Sequence, residues 1–168
     1  MAQNNVCNYS LVIHGGAGSA TKDVKVIEAR EVVLGEALDK GSSILSGGGT
    51  SLDAVETVIR ILEDSPLFNA GKGAVLTATS TNELDATIMD GSTRACGAAG
   101  GVTTVKNPIS LARLVMTETR HVLLAAQGAD VFAASLDHPK IEIVSPEYFR
   151  TEHQVKRLKR TQEQARLT

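Results

Sequence analysis

Leu62-Glu63-Asp64-Ser65-Pro66-Leu67-Phe68-Asn69-Ala70-Gly71-Lys72-Gly73 follows neither the period of a helix nor that of a strand. It nevertheless holds two large apolar side chains, Leu67 and Phe68, that favour burial, and a buried irregular loop needs partners for its carbonyl groups. Water and side chains are one answer; a hard cation coordinated by several backbone oxygens is the other. The stretch does not bind phosphate in the P-loop manner, because that motif needs Gly where Pro66 stands and Ser or Thr where Gly73 stands.

Upstream of the loop, Thr50 is placed as the N-cap of a helix with Asp53 three residues on, a variant capping box, and Pro66 closes that helix. Leu52, Val55, Ile59 and Leu62 are expected on its buried face. Before it, the apolar spacing from Asp23 to about Leu45 predicts one long amphipathic helix ended by Gly47-Gly48-Gly49. Tyr9 to Ile13 reads as a short strand running into His14-Gly15-Gly16-Ala17-Gly18, a loop whose glycines permit special backbone conformations. A dinucleotide fingerprint fails there, since Thr21 occupies the position that needs Gly or Ala.

Downstream, Ala74–Leu76, Leu84–Met89 and Gly97–Val105 read as short strands, with Asp90-Gly91 as a turn. Asn107-Pro108 predicts an N-cap and a Pro at the first helical position. His121–Leu124 looks extended and Ala129–Ser135 helical. Beyond Pro146 the composition turns to Lys, Arg, Gln and Glu, which reads as a solvated helix or a mobile tail. The order of elements gives mixed α and β layers, with one domain over residues 1–150 and a charged tail over 151–168.

The 168 residues suffice for one sizeable core, and 42% hydrophobic with 21% charged residues is a globular balance. A net charge of -2 gives no field that would gather nucleic acid or an anionic membrane. Cys7 and Cys96 form no zinc knuckle or disulfide framework, and the four histidines lack metal-ligand spacing. The N-terminus lacks a basic region and a long apolar run, so a cytoplasmic chain without a targeting segment is expected. Glu83, Asp85 and Asp90 bring three carboxylates close in sequence, as an acid–base pair or as an exposed strand edge and turn.

Val12-Ile13-His14-Gly15-Gly16-Ala17-Gly18, Ser51-Leu52-Asp53-Ala54-Val55, Pro66 through Gly73, Glu83 through Gly91, Asn107 through Met116 and Gln127 through Ala133 stand in one order. Together they resemble the plant-type asparaginase and isoaspartyl peptidase family, from Leu11 to about Phe149. The resemblance implies an α/β, four-layer αββα N-terminal-nucleophile hydrolase fold, of which this chain supplies the first half. It implies a precursor that cuts itself before a Thr, leaving an α-subunit like this chain and a β-subunit that carries the nucleophile. The partners implied are that β-subunit, an (αβ)2 assembly and a small substrate, L-asparagine or a β-aspartyl dipeptide, without nucleic acid or membrane.

Residue by residue, the resemblance gives Asn69 an orienting, hydrogen-bonding role beside the nucleophile, and His14, Gly15 and Gly16 the loop linked to precursor cleavage. It also gives the backbone carbonyls of Leu62, Glu63, Ser65, Phe68, Ala70 and Lys72 a structural sodium ion, with no catalytic cofactor. Thr168 is no substitute nucleophile, because its α-amine is bonded to Leu167. A tolerated left-handed turn at Asn69 is the competing account of that residue. For the whole chain the competing accounts are an inactive module of the same fold and a glycosylasparaginase-like subunit.

Overall fold

The Asp23 side chain accepts the Lys25 N–H at 3.0 Å and opens the helix that the apolar spacing predicts, α1 (Val24–Ser46), in a computed structural model that describes residues 8–18 and 21–167. Cys7 and Thr168 lie outside the described residues. Thr50 caps α2 (Ser51–Asp64): its hydroxyl accepts Asp53 N–H at 3.1 Å and donates to the Asp53 carboxylate at 2.7 Å. α1 and α2 pack along each other around Ala37, Val58, Leu62 and Phe68. Val55 is exposed, contrary to its expected burial, because Ala54, Glu56, Val58 and Glu63 take the inward positions.

Tyr9–Ile13 is not a strand. Its contacts are with α1 and the first core cluster: Tyr9 Oη donates to the Ser42 carbonyl at 3.2 Å, Leu11 lies over Gly41, and Ile13 packs beside Phe68. Ala74–Leu76 is not a strand either. There the Val75 N–H goes to a side chain, and the Asn82 amide takes the carbonyls of Ala74 and Val75 at 3.0 and 3.3 Å.

Among the described residues three strands form the sheet, in the order β1 (Leu84–Met89), β2 (Cys96–Val102), β3 (Leu123–Ala125). β1 and β2 are antiparallel; β2 and β3 run parallel, joined by α3 (Pro108–Glu118). The third predicted strand ends at Val102, and Val105 makes only a bridge to Ile143. α4 (Ala126–Ala134) follows β3 directly, and α5 (Glu152–Arg166) forms from the charged tail with Gln154 as its buried residue. Among the described residues no helix is long and apolar enough to cross a membrane.

α3 lies against one face of β1 and β2, where Leu84, Ile88, Gly97 and Ala99 are buried. Gly97 sets the approach: a side-chain carbon there would strike the Ala112 carbonyl, and Met116 N at 2.5 Å. Gly97→Ala is therefore expected to cost about 2 kcal/mol, read by urea unfolding, as the helix is forced off the sheet. The other face carries Asp85, Thr87, Met89, Ala98 and Leu123, and is uncovered, with Met89 58% and Leu123 55% exposed.

Candidate functional site

A cavity of about 210 Å³ opens between the loop after α2 and the start of β1, lined by Glu63, Asn69, Gly71, Val75, Glu83 and Asp85 among others. Asn69 reaches it from the loop singled out in the sequence. Its Oδ1 accepts the Val75 N–H at 2.9 Å, which settles which end of the amide is oxygen. The Nδ2 group has no partner among the described residues, so the polar group that Asn69 can offer a ligand is a pair of N–H donors. Among the described residues positive φ occurs at Ser80, Arg94, Ala126 and four glycines and not at Asn69, so the left-handed turn account does not hold.

Asp85 owes its place to a bulge. Leu84 pairs with Val102 and Ala86 with Ala99, so two residues of β2, Gly100 and Gly101, lie opposite Asp85 alone; Gly101 takes φ +61 and donates its N–H to Asp85 Oδ1 at 2.8 Å. Glu83 shares the cavity wall. Asp90 sits at the far end of β1, where its carboxylate accepts Ser92 N–H and Oγ–H at 2.9 and 2.7 Å, bonds that hold it below the usual carboxylate range. The three carboxylates thus separate into two at the cavity and one in a turn.

The loop between α2 and Ala74 folds over its own carbonyl oxygens. Gly71, at φ +47, crosses the Glu63 carbonyl so closely that a side chain would overlap it, and Gly73 does the same over the Phe68 and Pro66 carbonyls. Leu62 O accepts Ser65 N–H and Ala70 O accepts Gly73 N–H. The carbonyl oxygens of Glu63, Ser65, Phe68 and Lys72 accept no hydrogen bond among the described residues. A neutral set of hard, unsatisfied oxygens of this kind matches the donor preference of an alkali cation. Gly15 lies against this loop, its Cα turned to the Phe68 ring, and Gly16 at φ +114 donates its N–H to His14 Nδ1 at 3.2 Å. His14, Gly15 and Gly16 are exposed.

Two buried glutamate side chains of α2 have no role in the sequence reading, which names only the backbone carbonyl of Glu63. Glu63 Oε1 accepts the Ile109 N–H at 3.1 Å and so caps α3, while Asn107, the expected cap, donates its amide to Asp64 at 3.1 Å instead. Burial pushes the Glu63 carboxyl up to about 8. Glu56 is 1% exposed and accepts from Ser110 Oγ, Arg113 Nη1 and Lys140 Nζ, each at 2.7 Å. Burial alone would raise its pKa, but the bonds from Lys140, Ser110 and Arg113 outweigh that and hold it below the ordinary value. The available signal was spacing: Leu52, Glu56, Ile59 and Glu63 recur at three and four residues, which puts both carboxyl groups on an apolar stripe.

A family model described as Asparaginase matches residues 7–168. A relative from Dictyostelium discoideum is 46% identical over 160 residues, 94% of this chain and 45% of its own length. The plant-type L-asparaginase of Pyrococcus abyssi is 45% identical over 138 residues, covering 82% of this chain and 45% of the relative. The isoaspartyl peptidase of Escherichia coli strain K12 is 41% identical over 148 residues, covering 84% and 44%. The chain thus spans about half the length of the curated relatives it matches. The matched region holds the Asn69 cavity, the carbonyl loop and the glycine loop from His14, and the chain belongs to the asparaginase family.

Proposed function

We propose that this chain is the α-subunit of a cytoplasmic amide hydrolase that cleaves L-asparagine and β-aspartyl dipeptides through a threonine nucleophile. The β-subunit, released by self-cleavage of the shared precursor, supplies that threonine, and the working assembly is (αβ)2. The observation that carries the reading is the Asn69 amide in the cavity wall: its oxygen is taken by the Val75 N–H, which leaves its Nδ2 donors without a partner among the described residues. The uncovered sheet face with Met89 and Leu123 supports it, as the surface on which the second sheet of an αββα sandwich would lie.

In that reaction the threonine hydroxyl oxygen adds to the side-chain amide carbon while its proton passes to the same residue's α-amine. The carbonyl oxygen becomes an oxyanion, to which Asn69 Nδ2–H would donate. The C–N bond then breaks, the amine leaves with the proton, and water hydrolyses the β-aspartyl ester. Produced as the two-part processed precursor, the protein is expected to release aspartate from both substrates, whereas the chain without its partner is expected to release none. Absence of turnover in the processed two-part protein would overturn the assignment.

The carbonyls of Glu63, Ser65, Phe68 and Lys72, which accept no hydrogen bond among the described residues, support a sodium ion that backbone oxygens of Leu62, Glu63, Ser65, Phe68, Ala70 and Lys72 would hold. The ion's contribution would be structural, stiffening the loop that presents Asn69. Because a ligand of the native state stabilises by mass action, exchange of sodium for cesium or tetramethylammonium should lower the melting temperature. Equal melting temperatures in all three carefully desalted buffers would rule the ion out.

A further inference from the structure

The chain between Tyr148 and Gln162 lies across the segment that holds Asn69, and the mechanism above makes no use of it. Lys72 Nζ sits 5.0 Å from the Tyr148 ring centroid. Arg150 Nη1 donates to the Ser80 carbonyl at 2.8 Å, Gln162 Nε2 to the Ala78 carbonyl at 3.2 Å, and Gln154 Nε2 to the Gly73 carbonyl at 2.9 Å. Thr151 caps α5 and brings Gln154, in its first turn, inward. Two residues beyond Gly73, the Val75 N–H makes the one hydrogen bond of the Asn69 side chain among the described residues.

Gln154 is 7% exposed, and its Oε1 is buried without a partner. An amide with an unsatisfied oxygen is a poor choice for filling a core position, since an apolar side chain of similar length avoids that desolvation cost. Its bond to Gly73 is the feature that an apolar residue would not supply.

We propose that Gln154 is a positioning residue for Asn69: by holding the Gly73 carbonyl it keeps the Val75 N–H on Asn69 Oδ1 and leaves Nδ2 to the substrate. The inference rests on the reading of Asn69 as the oxyanion donor, but the position of the side chain is measurable without turnover. Gln154→Glu keeps the shape and replaces the donor with an acceptor; Gln154→Met keeps the volume and avoids a buried carboxylate. Amide hydrogen exchange in this chain should be about tenfold faster at Val75 in either variant, with the amides of α2 and α3 at parental rates. Parental exchange at Val75, or uniform acceleration through α2 and α3, overturns the proposal. In the processed two-part enzyme the same variants should lower kcat more than they raise KM, and parental kcat with loosened Val75 would overturn the link to Asn69. An inactive parent enzyme would count against the proposed hydrolase and leave the exchange result to decide the position of Gln154.

Discussion

Replacing Arg113 by Met should destabilise the protein by about 3 kcal/mol at pH 7, because it leaves the buried Glu56 carboxylate short of one of its two cations. Lys140 remains, but its side chain is 46% exposed and water screens its charge. The sign of the pH dependence follows from the lowered folded-state pKa of Glu56. Its ionised form contributes stability above the unfolded value of about 4.5, and that contribution is lost as pH falls through the folded value. In Arg113→Met burial is opposed by fewer hydrogen bonds, so the Glu56 pKa rises and the carboxyl protonates at a higher pH. Urea unfolding should therefore show the largest deficit at neutral pH and a smaller one near pH 5. Adding Glu56→Gln to Arg113→Met should recover part of the loss, since it removes the uncompensated charge. A deficit of equal size at both pH values would show that Arg113 acts through packing alone.

If the proposed function holds, Asn69→Asp should lower turnover of the processed two-part protein on the order of a hundredfold, roughly 3 kcal/mol of transition-state stabilisation, with little change in melting temperature. Aspartate keeps an oxygen to accept the Val75 N–H, so the loop keeps its internal bond. It replaces the donor pair with a second acceptor, which repels a developing oxyanion. Asn69→Gly loses both the Val75 contact and the donor, and should fall in turnover and loosen the loop. Parental turnover for Asn69→Asp, on subunits verified by mass to be fully processed, would end the donor assignment.

Short-range chemistry was legible in the sequence. Asp23 and Thr50 cap helices that begin at the next residue, the apolar spacing runs through α1, and the strand β1 spans Leu84–Met89 as read. The loop before Ala74 declared itself by lacking any period while carrying Phe68, which is buried, but it starts later than read, since Leu62, Glu63 and Asp64 still belong to α2. Each of these depends on residues within a few positions of one another, where backbone geometry alone decides which groups meet.

Tertiary structure decided everything whose partner lies far along the chain. Tyr9–Ile13 has the residues of a strand, but a strand exists only when another chain segment lies alongside, and its contacts are with helix α1 and the first core cluster. Asn107 has the residue type of a cap, yet Glu63, 46 residues before Ile109, arrives first at that N–H. Glu56 can be buried because Ser110, Arg113 and Lys140, as much as 84 residues away, close around it. A charge can stay buried only where such partners converge, and convergence is a property of packing that no local spacing encodes. The sequence by itself thus determined the helices α1 to α3, the strand β1 and the family motifs; the fold determined that the charged tail is a docked helix, which carboxylates line the cavity, which are buried, and which way the Asn69 amide is turned.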